Sequence, residues 1–280
     1  MNALPRTTIE DVSVCRMVIG TNWFLGWSHT TAAKDKFIQT SLTVRDIADV
    51  LAVFLEAGVD GVVGFAQHEK LHQALQEAQQ RTGRKAVLIS TPHIPIEDTQ
   101  EAYDEAQRIF DKEAELEVPV CLPHQSSTDP LVDRRARTIR QMDTYCKMIR
   151  QRGMIPGLST HMPETPVYAD EMNLDVATYI QIYNAAGFLM QIEVDWVHRM
   201  IWNCKKPVIT IKPMAAGRLH PLAGLAFAWA TLREQDMVTV GTMTPDEARE
   251  LIDLSLSLLE RRPSGVELQR TRSKTSIVGE

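Results

Sequence analysis

Short apolar runs rich in β-branched residues alternate along the chain with longer stretches in which apolar residues recur at helical spacing. Strands alternating with helical segments are the signature of βα units around a parallel sheet. The runs that read as strands are Arg16 to Thr21, Gly61 to Phe65, Lys85 to Ser90, Val118 to Leu122, Ile155 to Ser159, Phe188 to Glu193, Pro207 to Lys212 and Met237 to Gly241. About eight units at a mean spacing of roughly 30 residues predict a single α/β domain, an eight-stranded (β/α) or TIM barrel. Helix punctuation agrees. Thr43 stands before VRDIADVLAVFLEAG, and Gly58 closes that segment where a left-handed cap belongs. Thr244, Pro245 and Glu247 supply an N-cap, a proline at the first helical position and a capping-box acid. After about Pro263 the apolar periodicity stops, so the expected organisation is a barrel over residues 1–262 and a tail or arm over 263–280.

With 280 residues and 44% hydrophobic composition, the chain is large enough for one sizeable core. The net charge of −6 arises from mixed charges without a long basic run, which argues against a nucleic-acid partner. No apolar stretch reaches the roughly 18 residues of a membrane span, and MNALPRTTIEDVSV lacks a signal-peptide core. A cytoplasmic protein acting on a small molecule is the expectation. Cys15, Cys121, Cys146 and Cys204 form no CxxC pair and read as reduced, mostly buried thiols. The arm carries apolar residues without a periodic face, which predicts homo-oligomerisation.

In such barrels the working groups converge at the carboxyl ends of the strands. Asn22, Trp23 and His29 follow strand one, His93 follows strand three, His124 strand four and His161 strand five. Gln191 and Glu193 stand two apart in the run assigned to strand six, which would turn both to one side, and Lys212 ends strand seven. His68, His72, His198 and His220 lie in or beside helical segments and read as structural, whereas Trp23, Trp27 and Trp196 read as pocket wall or core. Glu193 and Lys212 have an alternative reading as a barrel ion pair.

The second half resembles the aldo-keto reductase superfamily. CLPH is similar to the strand-four stretch that ends in that family's active-site histidine, which places His124 there. GLSTH resembles the strand-five segment that contacts the nicotinamide amide, implying that role for Ser159 and Thr160, and MQIEV implies it for Gln191. ITIKPMAAGRL and VTVGTMTPDEARELI are similar to the family's strand-seven and final strand–helix segments. The first half departs from the pattern. Val63 stands where the family has its catalytic aspartate, no tyrosine follows it, and STPH offers Thr91, Pro92 and His93 in place of the strand-three lysine. The last helix has no basic cluster for a 2′-phosphate.

A barrel with this residue set predicts a non-redox enzyme, a lyase, isomerase or hydrolase, acting on a small polyhydroxylated or carbonyl-bearing substrate such as a sugar derivative. His124, Glu193 and Lys212 are its expected catalytic groups, with Asn22, Trp23, Ser159, Thr160 and Gln191 at the substrate. Imidazole and carboxylate suit a divalent metal (zinc, manganese or iron) held among His29, His93, His124, His161 and Glu193, which would replace the missing proton donor as a Lewis acid. The same histidines can hydrogen-bond a polar substrate without metal, and Lys212 has a further reading as a Schiff-base nucleophile. An NAD(P)H-dependent reductase with an altered proton donor, and a barrel reused as a binding subunit, are the other functional readings.

Overall fold

The computed structural model describes residues 3–269 together with 271, 273, 274 and 277. Most of the expected C-terminal arm from 270 onward therefore lies outside the described residues. An antiparallel hairpin, β1 (Arg6–Ile9) and β2 (Val12–Cys15), comes first. Ile9 and Val14 are fully buried in the same cluster as Val18, Ile89, Val120 and Ile209 of the barrel interior, so the hairpin plugs the floor. The sequence reading missed it, because its turn at Glu10 and Asp11 carries no glycine although Glu10 adopts a left-handed φ of 52°.

The barrel then runs through β3 (Met17–Gly20), α1 (Asn22–Leu25), α2 (Ala32–Ser41), α3 (Val44–Glu56), β4 (Gly61–Gly64), α4 (Glu69–Thr82), β5 (Val87–Ser90), α5 (Gln100–Glu115), β6 (Val120–Cys121) and α6 (Gln125–Thr128). A two-stranded excursion, β7 (Val132–Asp133) and β8 (Thr138–Ile139), precedes α7 (Met142–Gln151). The second half holds β9 (Ile155–Pro156), β10 (Leu158–Ser159), α8 (Glu164–Glu171), β11 (Tyr179–Ile182), α9 (Val194–Asn203), β12 (Val208–Ile211), α10 (Pro221–Thr231), β13 (Met237–Val240) and α11 (Pro245–Glu260).

All the barrel pairings are parallel, in the order β10-β11-β12-β13-β3-β4-β5-β6-β9. The two ends of that order are halves of one strand broken at Gly157. The Gly157 N–H bonds Cys121 O on one side (3.1 Å), and the next N–H, of Leu158, bonds Thr178 O on the other (3.1 Å), so the sheet closes on itself. A β-carbon on Gly157 would stand 2.7 Å from Thr178 O and 2.8 Å from Leu122 Cγ, closer than side-chain contacts allow. The TIM-barrel fold class is thus as the sequence predicts.

Strand six is not. The expected run Phe188 to Glu193 is a loop, and the strand is Tyr179–Ile182, buried along its whole length between β10 and β12. A strand covered on both faces has no need of polar alternation, and YIQI shows none of the clean apolar–polar rhythm that made LMQIEV conspicuous. In that loop Leu189 and Gln191 take left-handed φ values of 59° and 66°, and the Asn184 side chain bridges the N–H and C=O of Phe188 (2.9 and 3.1 Å).

The expected capping box forms at Thr244 with Glu247, the expected N-cap at Thr43 proves to be a capping box with Asp46 as well, and Gly58 has a left-handed φ of 81°. All four cysteines are free and buried. Among the described residues, no helix is long and apolar enough to cross a membrane. Just beyond α11 the chain folds back, with Gly265 N–H on Asp253 (2.5 Å) and Val266 packed on the core.

Candidate active site

Above the apolar interior, at the carboxyl ends of the strands, lies a cavity of about 960 Å³, near the upper end of the roughly 300–1,000 Å³ usual for small-molecule sites. Asn22, Trp23, His29, His93, His124, Ser159, His161 and Lys212 all line it, gathered from separate βα loops. The residues that depended on the misplaced strand six do not. Gln191 and Glu193 are exposed in the loop before α9, outside the cavity lining, so the expected substrate contact of Gln191 and the catalytic and metal-binding roles of Glu193 lose their geometry. The strand-six side chain that does face the cavity is Ile180. Thr160 is also off the wall: fully buried, it puts its hydroxyl against the Asp129 carboxylate and the Thr165 hydroxyl. Asp129 accepts the His161 N–H as well (3.1 Å) and so fixes the loop from which the imidazole projects.

Loop latches place two of the histidines. His124 N–H bonds Pro92 O (2.8 Å), and the Ser127 hydroxyl joins both the N–H and the C=O of Ile94 (3.0 and 2.7 Å), tying the loops after β5 and β6 together. His93 and His124 consequently meet edge to face with ring centroids 4.3 Å apart. Phe65 stacks on His93 at 4.7 Å, and Trp27 meets Phe65 edge-on at 5.3 Å, which makes one aromatic wall. The loop after β3 that brings Trp27 to this wall also carries His29, whose Nε2 accepts from the Asn22 amide (3.3 Å). Asp35 pins that loop by accepting the Ser28 N–H (2.8 Å) and hydroxyl. Trp23 packs against Gly241, where a β-carbon would sit 2.7 Å from its ring. Trp196, in contrast, is exposed on α9 beside Arg199 and belongs neither to pocket nor to core.

Burial dominates the electrostatics. It pushes the His124 imidazole down to about 4, helped by His93 and Lys212, and His29 down to about 4, helped by Lys212 and opposed by Asp35. His161 falls to about 3, again by burial first and then by Lys212 and its neighbouring histidines, and burial lowers His93 too. The rings of His29, His124 and His161 are therefore neutral at neutral pH. The Lys212 ammonium, on a residue with a left-handed φ of 61°, is pushed by burial down to about 8. Among the described residues it has no carboxylate partner, so the alternative of an ion pair with Glu193 is not realised. The cavity therefore sets the Lys212 cation beside the imidazoles of His29, His124 and His161, with Asp35, Glu247 and Glu250 also on its lining, an arrangement able to stabilise negative charge on a ligand and to exchange protons with it.

Sequence reasoning missed Phe65, Ser126 and His220. Phe65 closed an apolar run and carried no polar signal. His220 stands beside a helix as expected, as the N-cap of α10, but it also lines the cavity eight residues beyond Lys212. Ser126 is exposed and bonds both His93 and His124 from outside the cavity lining, and its position two residues after His124 was the available clue. Among the described residues, no three His, Cys, Asp or Glu side chains are gathered as a metal site.

No family model matches the chain, and no curated protein does. Among solved structures it is similar to a candidate aldo-keto reductase from Pseudomonas aeruginosa, with a TM-score of 0.65 at 14% identity over 91% of this chain and 96% of that one. An aldose reductase from Giardia lamblia gives 0.55 at 11% identity, over 99% and 92%. A ribulose-1,5-bisphosphate carboxylase/oxygenase from Pyrococcus horikoshii gives 0.53 at 12% identity, over 80% of this chain and 56% of that one. What the chain shares with them is the parallel α/β barrel fold.

Proposed function

We propose that the cavity is the active site of a non-redox enzyme that moves protons on a small carbonyl-bearing, polyhydroxylated molecule, a lyase or isomerase. The observation that carries this reading is Lys212: a half-buried ammonium without an ion-pair partner among the described residues, in a cavity that it shares with His29, His93, His124 and His161 and whose lining also includes Asp35, Glu247 and Glu250. A carbonyl oxygen gains negative charge when the adjacent C–H or C–C bond gives up its electrons. A desolvated ammonium stabilises that charge far better than water would. Imidazoles on the wall, His93 and His124 among them, can take a proton at one substrate atom and supply one at another. With a lowered pKa, Lys212 also has a free-amine fraction near neutrality, the requirement for forming a Schiff base with the same carbonyl.

A divalent metal would have to draw on His29, His93, His124 and His161. Glu193 lies elsewhere, and His93 and His124 both turn Nδ1 to Ser126. The donors do not form a gathered ligand set, so the chemistry is assigned to the imidazoles and the lysine themselves. The nicotinamide reading is supported by the fold and by Ser159 on the wall, but Thr160, Gln191 and Val63 leave it without an amide clamp or an acid at strand two.

The test is exchange of carbon-bound hydrogen. Purified, chelator-treated protein is incubated in D2O with a panel of short hydroxyaldehydes and hydroxyketones, and deuterium next to the carbonyl is read by NMR. Exchange with at least one member, lost in Lys212→Met and His124→Gln, is the expected result. Absence of exchange across the panel, together with saturable NADPH or NADH binding by fluorescence, would replace this reading with the reductase one.

A further inference from the structure

We propose that Ser126 links His93 and His124 into one directed proton relay, with the ring protons resting on His93 Nδ1 and His124 Nε2. The hydroxyl oxygen of Ser126 lies 2.7 Å from His93 Nδ1 and 2.9 Å from His124 Nδ1. The backbone N–H of Ser126 also points to His124 Nδ1, at 3.2 Å. An N–H has only a proton to offer, so His124 Nδ1 is an acceptor and the neutral ring carries its hydrogen on Nε2. The single hydroxyl proton of Ser126 then satisfies both short contacts in one way only. It is donated to His124 Nδ1, and the oxygen lone pair accepts the proton of His93 Nδ1. In the reverse arrangement two lone pairs, on Ser126 Oγ and His124 Nδ1, would face each other at 2.9 Å.

This leaves His93 Nε2 a bare lone pair and His124 Nε2 a donor, on two rings that both line the cavity. The relay rests on the reading that these histidines exchange protons with substrate. His93 Nε2 takes a proton from one substrate atom while its Nδ1 proton passes to Ser126 Oγ. The Ser126 proton passes to His124 Nδ1, and the His124 Nε2 proton goes to a second substrate atom. One proton enters, one leaves, and no electrons are gained or lost. The product is an isomer or tautomer of the substrate. After transfer the new His124 Nδ1–H confronts the Ser126 N–H, which opposes that state and returns the relay to its resting form. Ser126 is thus a positioning residue that sets two opposite tautomers, and the transformation it serves is an internal proton shift rather than hydrolysis.

The experiment is long-range proton–nitrogen correlation NMR on protein labelled with 15N-histidine, at a pH where the rings are neutral, with His93 and His124 assigned by single replacements. In the wild type His93 is expected as the Nδ1–H tautomer and His124 as Nε2–H. Ser126→Ala is expected to move His93 toward Nε2–H and leave His124, still held by the backbone N–H, unchanged. Ser126→Thr, which retains the hydroxyl, is expected to keep the wild-type pattern. Both rings in the Nε2–H form in the wild type, or a pattern indifferent to Ser126→Ala, would overturn the relay. The readout needs no substrate. A chain that exchanges carbon-bound hydrogen without these tautomers refutes the relay alone, and one with the tautomers but no exchange refutes the catalytic reading alone.

Discussion

His93 and His124 come from different βα loops, 31 positions apart in sequence, yet their rings meet at 4.3 Å between centroids with both Nδ1 atoms on one serine hydroxyl. Such closeness demands rigid backbone beneath it, which the Ser127–Ile94 latch supplies. Ser127→Ala removes two buried hydrogen bonds and leaves the Ile94 N–H and C=O to find other partners. The expected loss is about 1–3 kcal/mol in denaturant unfolding, with a larger relative loss of proton-exchange activity than of global stability.

Lys212 pays for its chemistry in stability. Its pKa falls from 10.5 to about 8 on folding, so between those values the unfolded chain holds a proton that the folded chain has released. The cost is complete below pH 8 and is relieved as pH rises through that window. Lys212→Met is therefore expected to stabilise the protein by about 1–3 kcal/mol at pH 7 while abolishing activity. Chemical denaturation of the two proteins, run at pH 7 and pH 10, checks both the sign and the convergence at high pH.

The histidines act at the acid end. From an ordinary value of 6.5, His29 and His124 fall to about 4 and His161 to about 3. Between pH 6.5 and about 4 the unfolded chain therefore takes up protons that the folded chain refuses, and stability drops as pH drops. Thermal unfolding at pH 7.5 and pH 5 is expected to show a lower Tm at pH 5, with a smaller drop in His161→Gln. An unchanged drop in that variant would mean that other groups govern acid stability.

Closure of the barrel depends on Gly157. In Gly157→Val the new side chain must displace Thr178 O and the Leu122 side chain, neither of which has slack at a strand junction. The expected cost is at least about 1–3 kcal/mol of overpacking, read as a lowered denaturation midpoint. Gly153, with open space around its α-carbon, has a left-handed φ of 74°, so Gly153→Ala tests backbone strain without crowding and should cost less.

Gln191 and Glu193 supply a negative control. Both are exposed outside the cavity, so Gln191→Ala and Glu193→Ala are expected to leave exchange activity within about twofold of the wild type. A loss greater than tenfold in either would show that the loop before α9 closes over the substrate.

What the sequence alone determined is the part of the structure written in local rules. Seven of the eight barrel strands, the Thr43 N-cap, the Thr244–Glu247 capping box and the histidines at the strand ends follow from periodicity, turn chemistry and the fact that parallel strands deliver their loops to one end. Strand six escaped because YIQI is buried throughout and carries no polar rhythm, whereas LMQIEV has the rhythm but is turned out by Asn184 and two left-handed residues. That one displacement carried Gln191 and Glu193 out of the expected site and brought Ile180 onto its wall. Tertiary structure alone decided how the remaining polar groups face one another. The 2.7 and 2.9 Å contacts through Ser126, the desolvation of Lys212 and the absence of a gathered metal ligand set among the described residues are relations between loops distant in sequence. No local pattern encodes them, because hydrogen-bond direction and loss of water depend on distances that exist only once the barrel has closed.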